Sequence, residues 1–180
     1  MKWRFFGGHD NPPLEGTEHH DAQTQGKEPR QSEGNEDRET RKGDTMLDEL
    51  ITADNVSKEL LKSVFDAAFM DTAYDKDGDL FVRDRCTCFV FCDKEKRVVY
   101  LRSYFRLTAS ASEIQRLTCA NEINGNYLLV RAIVSDHTVM FGHDIALDGG
   151  ISKKALVLLL KRFCRIPHDA VGDYGKDIVE

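Results

Sequence analysis

Apolar and polar positions change rhythm several times along this 180-residue chain. In TADNVSKELLKSVFDAAFM, residues 52–70, Val56, Leu60, Leu61, Val64, Ala67 and Ala68 recur at helical spacing and form one stripe, with Thr52 or Asp54 as the expected cap. The period then shortens. LFVRDRCTCFVFC, residues 80–92, reads as one strand in which Phe89, Val90 and Phe91 are apolar without alternation, the pattern of a strand covered on both faces. After the polar turn DKEK, VVYLRSYFRL alternates cleanly. Val99, Leu101, Phe105 and Leu107 face one way, while Tyr100, Arg102, Tyr104 and Arg106 face the other.

A second helix is expected from SASE, where Ser110 and Glu113 fit a capping box, to about Asn124, with Gly125 as its stop. YLLVRAIV then puts Leu128, Val130, Ala132 and Val134 on one face of a strand. The short turn SDH leads to VMFGHDIAL, with Val139, Phe141, Ile145 and Leu147 inward. DGG breaks that strand, and Ser152 caps a last helix, KKALVLLLKRFCRI, which is expected to end before Pro167. The order of helix, two or three strands, helix, two strands and helix describes an α+β domain without internal repeats. Within the last helix, Leu156, Leu159, Leu160 and Phe163 suffice for a core stripe, and Val157 and Leu158 are expected on the opposite side. A helix apolar all round expects a second cover, either from its own domain or from a second copy in a homodimer.

Composition divides the chain. Residues 1–45 hold three of the four prolines and six of the 13 glycines, and contain no valine, isoleucine or cysteine. Such a segment buries too little apolar area to offset the entropy of ordering it, so 1–45 is expected to be a disordered tail. The ordered domain is expected over 46–170, with a short C-terminal tail at 171–180. MKWRFFGG lacks the apolar run of a signal peptide, and no stretch approaches the ~20 apolar residues of a membrane span. The expectation is a cytoplasmic protein without a membrane partner. The net charge of −6 disfavours nucleic acid as the main partner, because neutralising phosphates needs concentrated Lys and Arg.

The candidate chemistry is sparse. DKDGDL places Asp75, Asp77 and Asp79 like the first half of an EF-hand loop, but the sixth position is Leu80 and the twelfth is Cys86, where glycine and glutamate are needed. Asp77-Gly78 reads instead as a tight turn feeding a strand. Cys86, Cys88, Cys92, Cys119 and Cys164 lack the knuckle spacing of a zinc site, and an odd count argues against a disulfide framework, so buried free thiols are expected. His19 and His20 fall in the expected tail, and His143 falls on the inward parity of its strand. LDGGISKK lacks P-loop spacing. No catalytic, cofactor-binding or metal-binding residue is assigned, and no cofactor is expected.

DGDLFV entering the first strand, ANEINGNYLLVRAIV between the second helix and the next strand, and IALDGGIS before the last helix together resemble the YbjN-domain family. The resemblance covers roughly residues 47–166. It implies a fold like that of type III secretion chaperones, an antiparallel sheet with flanking helices in the order α-β-β(-β)-α-β-β-α. It also implies bacterial origin and the label of a sensory transduction regulator, a name without an established mechanism. The family has no agreed catalytic residues to carry over, and the N-terminal tail and the cysteine-rich first strand depart from its usual pattern. The expected function is a non-catalytic protein-binding module, a regulatory or chaperone-like adaptor with a protein partner or client. The alternative is an enzyme using an unrecognised Cys/His site.

Overall fold

The computed structural model describes residues 50–135 and 137–180. The expected disordered tail at 1–45 therefore lies outside the described residues. Eight strands and three helices follow in the order β1 (Leu50–Ile51), α1 (Lys58–Ala67), β2 (Asp71–Tyr74), β3 (Leu80–Arg83), β4 (Thr87–Asp93), β5 (Val98–Arg106), α2 (Glu113–Asn126), β6 (Arg131–Val134), β7 (Thr138–Ala146), β8 (Ile151–Ser152) and α3 (Lys153–Tyr174). Six strands form one sheet in the order β2-β3-β4-β5-β7-β6, every neighbour antiparallel. β1 and β8 make a separate two-residue ladder, Leu50 opposite Ser152 and Ile51 opposite Ile151. This is the α+β antiparallel architecture expected from the sequence.

Capping chemistry sets the helix starts, and at two of them it differs from the expectation. α1 is capped by Ser57, whose hydroxyl accepts the Leu60 N–H at 3.1 Å. Thr52 is not the cap, because its own N–H is held by the Asn55 side chain at 2.8 Å in a turn upstream. Val56 is fully buried but precedes the helix. α2 starts two residues later than SASE suggests. Its capping box pairs Ser112 with Gln115, while Ser110 bonds Thr108. α2 also runs through Gly125 to Asn126, and Leu129 then takes a left-handed φ of 67° to enter β6. That reversal throws Leu128 out to 77% exposure instead of placing it on the inward face.

The stretch expected as one strand is a hairpin. β3 and β4 pair Phe81 with Phe89 and Val82 with Cys88 around a turn at residues 84–86, closed by Asp84 N–H to Cys86 O at 3.2 Å. β2, unforeseen in the sequence, pairs with β3 through the DKDGD turn. There Asp75 Oδ1 accepts the N–H groups of Asp77 (3.0 Å) and Asp79 (2.8 Å), and Gly78 supplies a φ of 79°. The tight-turn reading of this stretch holds. Asp79 turns away from the loop to pair with Lys58 of α1 at 3.0 Å.

α3 does not stop at Pro167. That residue lies buried inside the helix, which continues to Tyr174. Nor is 171–180 a tail. Ile178 is 5% exposed, Val179 bridges to Leu107, and backbone bonds join Thr108 to Ile178 (2.8 Å) and Glu180 to Arg106 (3.0 Å). Tyr127, just past α2, donates its hydroxyl to Asp173 of α3 at 2.5 Å, a bond that pushes the phenol up to about 12. All three helices contribute to one core with the sheet, among them Phe65, Ile123 and Phe163 against Val90, Leu101 and Phe141. Val157 belongs to this core at 7% exposure, contrary to its expected outward position. Leu158 alone of the pair faces out, at 59%.

Candidate functional site

Strand parity divides the sheet into unequal faces. Leu80, Val82, Cys88, Val90, Val99 and Leu101 point into the core that the helices cover. The residues between them point the other way, and Phe81, Phe89, Phe91, Tyr100, Tyr104, Ile133 and Met140 all lie outside that core. No helix among the described residues packs on this second face. Among the described residues helices cover only one side of β4, and on the other side Phe89 and Phe91 are half-buried.

The open face is ordered by ring contacts across three strands. Phe89 lies at the centre, with ring centroids 6.0 Å from Phe81, 6.3 Å from Phe91 and 6.0 Å from Tyr104. The Phe81 contact is tilted, the Tyr104 contact edge-on and the Phe91 contact stacked, and the first two suit the aromatic quadrupole. Arg83 lies over Phe81 at 4.8 Å, and that ring is buried at 7% exposure. Tyr104 is 49% exposed and Ile133 45%. Arg102 lies flat across the sheet, over Tyr100 at 4.9 Å, bonded to Asp144 at 2.6 Å and to the His143 carbonyl at 3.2 Å. Gly142 permits this: a Cβ there would come within 3.1 Å of the guanidinium. Arg131 shares Asp144 at 3.3 Å, so the polar side of the face is neutralised.

One sheet edge is closed by a helix. Ala132 of β6 points its backbone away from β7, and the Asn124 amide of α2 takes both groups, accepting the N–H at 2.7 Å and donating to the carbonyl at 3.0 Å. At the other edge, Thr72 of β2 is tied to Asp66, which Lys62 bonds at 2.6 Å. These bonds, first that of Lys62, hold the Asp66 carboxyl below its ordinary range. An edge whose backbone groups are tied to a helix, as at Ala132, resists strand addition.

The thiols are brought together, but in an inert state. Cys86 sits in the β3–β4 turn and donates its Sγ to the Cys164 carbonyl at 3.3 Å. That carbonyl lies in the turn of α3 just before Pro167, whose missing N–H disturbs the local ladder. The hydrogen bond to Cys164 and burial both push the Cys86 thiol far up. Cys164 is also raised: a bond from Cys86 pulls it down, and a bond with Cys88 and burial outweigh it. Cys92 and Cys119 are raised by burial. All five cysteines are free. His143 borders an open cavity of about 310 Å³ with Leu129, Val130, Arg131, Gly142 and Asp144. Desolvation lowers its pKa against the opposing pull of Asp144 and the Leu129 backbone. Among the described residues no three His, Cys, Asp or Glu side chains converge as metal ligands, and no helix is long and apolar enough to cross a membrane. His19 and His20 lie outside the described residues.

The YbjN family, described as "Putative bacterial sensory transduction regulator", matches residues 57–169. No curated protein matches the sequence. Among solved structures, the chain is similar to "YbjN, a putative transcription regulator from E. coli", with a TM-score of 0.60 at 11% identity over 73% of this chain and 99% of that one. It also matches the Yersinia pestis type III secretion chaperone SycH, solved in complex with a stable fragment of YscM2, at a TM-score of 0.42 and 13% identity, over 64% of this chain and 97% of that one.

Proposed function

Because the chain belongs to the YbjN family, a family of regulators by description, we propose that it acts as a non-catalytic protein-binding adaptor. The observation that carries this reading is the open sheet face. Contiguous exposed apolar surface on a folded domain marks an interaction site more often than chance, and large, rigid aromatic side chains give contact area at little entropic cost. Tyr104 and Ile133 are exposed on this face of the sheet, beside the half-buried rings of Phe89 and Phe91 that fix Tyr104 in place. The closed β6 edge favours docking on the face over addition of a strand beside β6.

A catalytic role would need an activated group, and the chemistry here runs the other way. The thiolate is the nucleophile, and the Cys86 and Cys164 thiols are held protonated by their bonds and burial. Their partners are each other, Cys88 and a backbone carbonyl, whereas those of His143 are Asp144, Arg102 and the Leu129 backbone.

Site-directed photocrosslinking in the native host tests the proposal. A photoreactive phenylalanine at position 104 should give discrete protein adducts that the same group at Glu95, on the exposed β4–β5 turn, does not. Equal or absent adducts at the two positions would overturn the adaptor reading.

A further inference from the structure

A second exposed face has a different chemistry. Lys154, Leu158, Lys161, Arg162 and Arg165 are all exposed on α3. At 100° per residue they fall within an arc of roughly 100°, turned away from the stripe that buries Leu156, Leu160 and Phe163, and they extend over about 17 Å of helix. None of the four cations has a carboxylate partner among the described residues. Asp169, at the end of the stripe, is taken by Arg85 at 3.7 Å and His168 at 3.4 Å. Between the cations lies a shallow depression of about 410 Å³ lined by Leu158, Lys161, Arg162, Arg165, Ile166 and Asp169.

We propose that this stripe docks an acidic protein segment carrying a large apolar side chain. Lone surface cations are common, but four without a carboxylate partner among the described residues, around a 59%-exposed leucine on a chain of net charge −6, leave a local excess that a partner would neutralise. The forked guanidinium groups of Arg162 and Arg165 suit carboxylates two oxygens at a time. Leu158 and Ile166 offer the apolar contact that a peptide side chain can use and a phosphate backbone cannot. The chain's overall negative charge also repels a long polyanion more than a short acidic segment. This proposal stands on α3 alone and does not depend on the sheet face.

The test is fluorescence anisotropy on the full chain, with a labelled synthetic helical peptide bearing glutamates around one leucine face, and random-sequence duplex DNA as the competing probe. The peptide should bind, more weakly as salt rises. The double reversal Lys161→Glu with Arg165→Glu should lower affinity ~10-fold or more, equivalent to 1.4 kcal/mol or above. Leu158→Ser should lower affinity several-fold without changing the salt dependence, and Lys76→Glu, on the β2–β3 turn, should change nothing. All these positions are exposed, and circular dichroism should show unaltered folding. Peptide binding that is absent, or insensitive to the reversals, would overturn the proposal. So would tighter binding of the duplex with the same losses, which would assign the stripe to nucleic acid.

Discussion

Asn124→Ala removes the side chain that closes the β6 edge. Its amide makes two bonds to Ala132, at 2.7 and 3.0 Å, and Ala132 itself is only 4% exposed. A net hydrogen bond contributes about 1 kcal/mol, and a buried group left without a partner costs 1–3 kcal/mol, so losing both bonds should cost about 2–3 kcal/mol. Alanine is the better helix former and returns about 0.5 kcal/mol. The net loss of about 2 kcal/mol should lower the melting temperature by roughly 5–10 °C. Urea denaturation measures the loss, and amide exchange locates it: Ala132 N–H should lose protection while core amides such as those of β5 lose only the global share. Asn124→Asp separates the two bonds. The carboxylate can still accept the Ala132 N–H but sets an oxygen against its carbonyl, so this variant should be worse at neutral pH and recover as acid protonates the new carboxyl. If Asn124→Ala leaves the urea midpoint and the Ala132 exchange unchanged, packing of α2 and not its amide holds the edge, and the argument fails.

Other expectations follow from burial and charge. Val157→Glu should unfold the domain, because the side chain is 7% exposed and brings an unpaired charge into the core, whereas Leu158→Glu at 59% exposure should leave the melting temperature nearly unchanged; thermal melts compare them directly. Cys88 and Cys164 should react with a thiol reagent at neutral pH only as fast as the domain opens, and all five thiols should react at once in denaturant; rapid stoichiometric labelling of Cys164 in the native protein would refute the inert-cluster reading. Burial lowers the His143 pKa, so the fold favours the neutral ring. Its contribution is fully present above the unfolded histidine value near 6.5 and is lost as pH falls below it. His143→Gln should flatten the stability profile from neutral pH downward in denaturation series, and an unchanged slope would exclude that residue as the cause.

The element types were legible in the sequence wherever one face is buried and periodicity is clean. Val99, Leu101, Val139, Phe141 and Ile145 were assigned inward from alternation and are buried. Helix starts were harder to read because several side chains could compete for one cap. Ser57 and Ser112 prevail over Thr52 and Ser110, which are occupied by local turns. The hairpin turn at residues 84–86 carries neither glycine nor proline, so nothing in the sequence separated β3 from β4. β1, two residues long, is too short, and β2, Asp71–Tyr74, too short and polar, to register as strands without their partners. Pro167 suggested a helix end, but at that position packing outweighs the lost bond. The site residues were visible in part. Parity alone places Tyr104 opposite the core, whereas the apolar run Phe89-Val90-Phe91 cannot say what its second face meets.

The β1–β8 ladder joins residues about a hundred apart in the chain through only two paired positions. Closing a loop of that length in an unfolded chain costs about 4 kcal/mol, more than so short a ladder can return, so it should form only after the intervening sheet has drawn its ends together. By the same reasoning the ladder should open before the six-stranded sheet does, although Ile51 within it is fully buried. Ser152, which sits in that ladder, is also the residue that caps α3. A brief opening of the ladder therefore frays the start of α3, whose first turn carries Lys154, and the timing of events at that end of the helix is set by a clasp assembled last.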